Sequence, residues 1–230
     1  MIIDVKDLTE DLTILSEKIF IFKKVMSNTE KFIEELNTID LNYLEDIPAD
    51  LNPVAHYPIS EWIDWASNDG EDLIYGKQKT GIFNFDEENK NDSRGHKQAV
   101  SLISQVKQCA DNLAAEYFKH LYITDTPHLP NVFDVKIYSV GAEMGRHFDL
   151  HPNDNKTILS AVIYLNDNYE GGELYFDQQD ITIRPESGCV IFFPSTEDFT
   201  HASLEITSGQ KECIPLFFFE RPEALNDMSY

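Results

Sequence analysis

From Asn131 onward the chain breaks into short apolar runs separated by turn residues, and this pattern limits the possible folds more than any other feature. Runs near 132–139, 158–165, 173–176, 180–184, 188–193, 201–206 and 212–220 are rich in Val, Ile, Tyr and Phe, and each is too short for a typical helix. Between them lie Asp167-Asn168, Gly171-Gly172, Pro185 with Gly188, and Ser208-Gly209. Such residues tolerate the backbone angles of tight turns or bond to their own backbone. Many short strands joined this way close into an antiparallel sandwich of the jelly-roll type.

The first 130 residues supply support. Leucines among acids predict a short helix within 1–16, and Lys18–Lys23 reads as a strand. Ser27 followed by Glu30 is a capping box and predicts a helix over 28–38, with Phe32, Ile33 and Leu36 facing the core. Residues 39–96, with Pro48, Pro53 and Pro58, read as largely irregular. Within them Ser60–Trp65 predicts a helical turn with Trp62 and Trp65 on one face, serving either as a wall of a substrate cleft or as an anchor to the core. Asp86–Arg94 is polar enough for a mobile loop. From Lys97 to His120 the residues Val100, Ile103, Val106, Ala110, Leu113 and Tyr117 recur at helical spacing, which predicts a long helix backing the sheet. The expectation is an α+β, mainly β, single domain over 1–230, with 1–130 as support and variable substrate side and 131–222 as the core.

Composition removes several function classes. A net charge of −23, from 41 acidic against 18 basic residues, is wrong for holding a phosphate backbone, so no nucleic-acid partner is expected. There is no run of eighteen apolar residues, which predicts no membrane span. The acidic start is unlike a signal peptide, and Cys109, Cys189 and Cys213 are too few and scattered for a disulfide framework. All three read as core, and a cytoplasmic setting is expected.

Within Gly145–Leu150, His147 and Asp149 stand two apart, so a strand would show both on one face. A third ligand from a distant strand would complete two imidazoles and one carboxylate around a metal. That set leaves the opposite positions open and suits non-haem Fe(II). His151, two residues on, would share the face.

The text around this pair resembles the prolyl-4-hydroxylase-like group of the Fe(II)- and 2-oxoglutarate-dependent dioxygenases. The matching residues are Val135–Tyr138 with Gly141, Arg146–Asp149, Ile163–Asn166, Glu170–Phe176, Arg184–Gly188, Val190–Phe193, His201, and Gly209–Lys211. The resemblance implies a double-stranded β-helix, with His147, Asp149 and His201 as iron ligands; it selects His147 over His151 because the family's phenylalanine and aspartate follow it. It implies Lys211 as counter-ion to the distal carboxylate of 2-oxoglutarate, with Tyr138 and Tyr164 as further contacts. O2 is the other co-substrate, and ascorbate a candidate reductant. The implied reaction is hydroxylation of an unactivated C–H bond with release of succinate and CO2, first of all on a prolyl residue of a peptide or protein. A free amino acid or small metabolite is the alternative substrate, and a non-catalytic metal-binding jelly roll is the alternative class. Departures from the family pattern at Leu204–Ile206 and Ile214–Phe219 affect the expected shape of the substrate pocket.

Overall fold

The computed structural model describes residues 11–44, 58–66, 74–83, 93–124, 127–129, 132–150 and 157–220. In chain order, β1 (Leu12–Ser16), β2 (Ile19–Phe22), α1 (Thr29–Asn37), β3 (Ile63–Ala66), β4 (Ile74–Ile82) and α2 (Arg94–His120) precede the sandwich proper. The sandwich contains β5 (Val132–Tyr138), β6 (Met144–His147), β7 (Thr157–Tyr164), β8 (Glu170–Gly171) and β9 (Leu174–Phe176). It continues with β10 (Ile181–Ile183), β11 (Val190–Pro194), β12 (His201–Ser203), β13 (Ile206–Ser208) and β14 (Lys211–Phe219).

All four residues of β2 are buried, and the alternation of strand side chains explains why. Phe20 and Phe22 join one hydrophobic cluster with α1 and α2, whereas Ile19 and Ile21 join a second one between the sheets. Val190 and Phe192 against Ile191 and Phe193 divide in the same way on β11. A sheet covered on both faces needs such continuous apolar runs. It is eight-stranded, in the order β1-β2-β11-β7-β14-β5-β4-β3, and faces a four-stranded sheet, β10-β9-β12-β6. A two-stranded ribbon, β13-β8, flanks them.

Helix α2 covers the outer face of the large sheet through Leu102, Ile103, Val106, Ala110, Leu113 and Tyr117. It starts three residues before the predicted Lys97 because Ser93 caps it, its hydroxyl accepting the His96 backbone N–H at 3.2 Å. Among the described residues no helix is long and apolar enough to cross a membrane. The three cysteines are buried and free, as expected.

The N-terminal half departs from expectation in four places. Residues 12–16 form a strand, not a helix, because Leu12 to Ser16 pair antiparallel with the all-apolar β2. Helix α1 has Asn28, not Ser27, as its N-cap, and the Asn28 side chain makes no cap bond; Thr29, its first residue, shares a hydrogen bond with the Ser187 hydroxyl at 2.8 Å. The segment containing Trp65 is a strand, since Ile63, Asp64, Trp65 and Ala66 pair with β4, itself inside the stretch read as irregular. Three positions apart, Trp62 and Trp65 then point to opposite sides. Trp62 packs on the helix-side cluster and donates to the Asn37 side chain at 3.2 Å, while Trp65 packs on the cluster between the sheets. Residues 86–92 and His151 lie outside the described residues.

Candidate active site

The inward face of the large sheet builds one wall. Strand pairing sets Lys211 opposite Tyr138, and Cys213 opposite both Lys136 and Tyr164. These side chains, with Ser160, Phe193, Pro215 and others, line a cavity of about 100 Å3 between the sheets. The small sheet provides the opposite wall, where His201 on β12 is the direct antiparallel partner of His147 on β6. Strand β6 escaped the sequence reading because Met144-Gly-Arg-His147 has no apolar alternation. Asp149 follows it in a bend, so the pair's proximity comes from the strand end and not from two positions on one strand.

His147, Asp149 and His201 converge, each offering one ligand atom, and these atoms lie within 4.8 Å of one another. His147 Nε2 is 3.5 Å from Asp149 Oδ1, and His201 Nε2 is 3.8 Å from Asp149 Oδ2. On the far side of each ring, Nδ1 meets a carbonyl two residues back in its own chain: Gly145 at 2.7 Å and Phe199 at 3.0 Å. A carbonyl only accepts, so Nδ1 carries the proton, and in the neutral ring the Nε2 lone pair points into the cluster.

Electrostatics favour a cation at this point. Burial works against charge on Asp149, but bonds from His147 and Ser160 and the neighbouring His201 hold its carboxyl below the ordinary value. Burial also opposes protonation of His147, yet its bonds to Asp149 and the Gly145 carbonyl raise it overall. His201 is lowered, chiefly by burial, and stays a neutral imidazole. Two oriented imidazoles and an ionised carboxylate on one side of a cavity are a fitting donor set for divalent iron.

Lys211 is only 3 % exposed. Its amine donates to the Gly172 carbonyl at 3.2 Å and to the Ser203 hydroxyl, and sits over the rings of Tyr138 at 4.8 Å and Tyr164 at 6.0 Å. It has no ion-pair partner among the described residues, and burial lowers its pKa, with Cys213 and Glu173 pushing the other way. A buried amine held by neutral groups is arranged to receive an anion. The sequence placed Lys211 on the strand after His201; β13 intervenes, and Lys211 opens β14 in the large sheet. Gly172, read from sequence as turn residue alone, also orients this amine through its carbonyl. Its φ of +68° and the 2.3 Å approach of Ile206 Cδ1 to where a Cβ would sit explain the glycine.

The six predicted side chains therefore share one cavity. Ser203, Ser160 and Lys136 were missed. Lys136 was within reach, because it stands two before Tyr138 on a strand and so shares its face.

Residues 133–219 match the family model of the 2OG-Fe(II) oxygenase superfamily. Prolyl 3-hydroxylase 2 of Rattus norvegicus is 36% identical over 64 residues, 26% of this chain and 9% of that protein. A putative prolyl 4-hydroxylase of Acanthamoeba polyphaga mimivirus is 32% identical over 72 residues, 28% of this chain and 30% of that protein. The chain thus spans a small part of the length of these relatives. A prolyl hydroxylase from Trichoplax adhaerens, solved with a hypoxia-inducible-factor peptide fragment, superposes with a TM-score of 0.55 at 18% identity, covering 94% of this chain and 88% of that one, and so shares the fold. Residues 133–219, which carry the six predicted side chains that line the cavity, are accordingly similar to the 2OG-Fe(II) oxygenase superfamily.

Proposed function

We propose that the chain hydroxylates a prolyl residue in a peptide or protein, using Fe(II) and 2-oxoglutarate. One observation carries this reading: a three-ligand cluster and a buried lysine, without an ion pair among the described residues, occupy facing walls of the same cavity. When bound, iron and 2-oxoglutarate supply the oxidising power for attack on an unactivated C–H bond, with succinate and CO2 as co-products. His147, Asp149 and His201 hold the metal, each imidazole fixed by its backbone carbonyl. Lys211 takes the distal carboxylate of the co-substrate as a point charge, and Tyr138 and Tyr164 line the same space. Phe193 and Leu174 line the cavity and limit water around the reacting groups. A peptide substrate is supported by the Trichoplax relative of the same fold, which was solved with one bound.

The test is anaerobic addition of Fe(II) and 2-oxoglutarate, followed by their visible charge-transfer band, and then peptide-dependent succinate release in air. The band should vanish in His201→Ala. In Lys211→Ala it should need roughly ten- to a hundredfold more 2-oxoglutarate, the scale of a hydrogen bond to a charged group. No band at saturating iron would overturn the reading.

A further inference from the structure

Lys136 has no part in the reading above, yet it lines the same cavity. It is half-buried on β5, on the inward face, and close enough to His147 to disfavour that ring's protonation. Trp65, two strands away, roofs it: the Lys136 amine lies 4.5 Å from the Trp65 ring centroid, and Trp65 meets Tyr138 edge-on at 5.0 Å. Gly76 makes this reach possible. It is in register with Trp65 on one side and Tyr138 on the other, and a Cβ there would sit 1.7 Å from the Ile137 carbonyl oxygen. Tyr138 therefore separates two amines, with Lys211 over its own ring on one side and Lys136 beneath Trp65 on the other.

The charge of Asp134 favours the protonated Lys136 amine without forming an ion pair with it. Asp134 shares its face but accepts the Thr80 hydroxyl at 2.7 Å, and among the described residues Lys136 makes no ion pair. The cavity thus holds one more cation than the co-substrate uses.

We propose that Lys136, held under Trp65, anchors a carboxylate of the substrate at the cavity mouth and so selects acidic substrates. The carboxylate is either that of an acidic residue next to the target in a peptide or the α-carboxylate of the target itself. The claim that this anion is the hydroxylated molecule rests on the oxygenase reading; the anion site does not.

Two matched pairs test it: N-acetyl-L-proline against N-acetyl-L-prolinamide, and blocked peptides with glutamate or glutamine following the proline. Each is titrated anaerobically into protein carrying Fe(II) and 2-oxoglutarate. Fluorescence is read in a Trp62→Phe background, which leaves Trp65 as reporter. The carboxylate member of at least one pair should bind about tenfold tighter or better, the scale of a charge-assisted hydrogen bond. The preferred pair identifies the source of the carboxylate. Lys136→Arg should keep the preference and Lys136→Met abolish it, with 2-oxoglutarate affinity unchanged in both. No preference in the parent, a preference that survives Lys136→Met, or a loss of 2-oxoglutarate affinity in that variant would overturn the proposal. Absence of the charge-transfer band with the carboxylate preference intact would sink the oxygenase reading alone.

Discussion

Buried lysines are costly to the fold, and two of them show this: Lys79 on the helix side of the large sheet and Lys211 in the cavity. Lys79, 2 % exposed beside Trp62, has its amine pulled down to about 8 by burial, with Glu61 pushing the other way. Its unfolded value is 10.5, so between those two values the unfolded chain binds more protons, and stability from this group rises with pH across that window. Below about 8 the full penalty applies. Lys79→Met should therefore raise Tm by a few degrees at neutral pH, and the gain should shrink as melting is repeated toward pH 10. Lys211→Met should likewise melt no lower than the parent while binding 2-oxoglutarate poorly, which separates a binding role from a stabilising one. Metal should act in the opposite sense. Fe(II) at a hundred times its dissociation constant would add about 2.7 kcal/mol, a gain that a chelator removes and that Asp149→Ala never shows.

The elements explain how far the sequence was legible. Strands β5, β7, β9 to β12 and β14 could be read because each lies in a short run ended by turn residues, whereas β8 and β13, Glu170–Gly171 and Ile206–Ser208, carry too little apolar pattern to be seen. Of the site residues, the chain alone pointed to the His147 and Asp149 pair; His201, Lys211, Tyr138 and Tyr164 were named through the family resemblance, which carries their order and spacing. Strand β4 was hidden by its composition: Ile74-Tyr-Gly-Lys-Gln-Lys-Thr-Gly-Ile82 lacks apolar alternation, and only its partners β3 and β5 make it a strand. Strand β1 was misread because five residues with two leucines fit either period, and pairing with β2 decided the matter. Trp65 could not be placed at the cavity without β3 and β4, which is why the substrate side stayed silent. Leu113→Ala probes the best-read element, α2. The side chain is wholly buried, and its loss should cost about 2–5 kcal/mol, a drop in Tm of roughly 5–15 °C. Gly76→Ala should reach past stability by forcing β4 away from β5; Trp65 fluorescence and carboxylate preference would then change together.

At the scale of the molecule, the charge of −23 opposes the entry of the anions the cavity is built to receive. Screening should therefore help. Raising ionic strength from about 0.01 to about 0.15 M shortens the Debye length from roughly 30 to roughly 8 Å, and kcat/KM for an acidic substrate should rise across that range while a neutral analogue changes little. The distribution of the site between two sheets has a mechanical outcome as well. His147 and His201 belong to the four-stranded sheet, with β6 exposed along much of its length, whereas Lys211, Tyr138 and Tyr164 belong to the large sheet that α2 backs. Ligands touching both would act as a clasp across the sandwich. Amide hydrogens of Met144–His147 and His201–Ser203 should then exchange with solvent more slowly once iron and 2-oxoglutarate are loaded, while those of Leu102–Phe118 keep their pace.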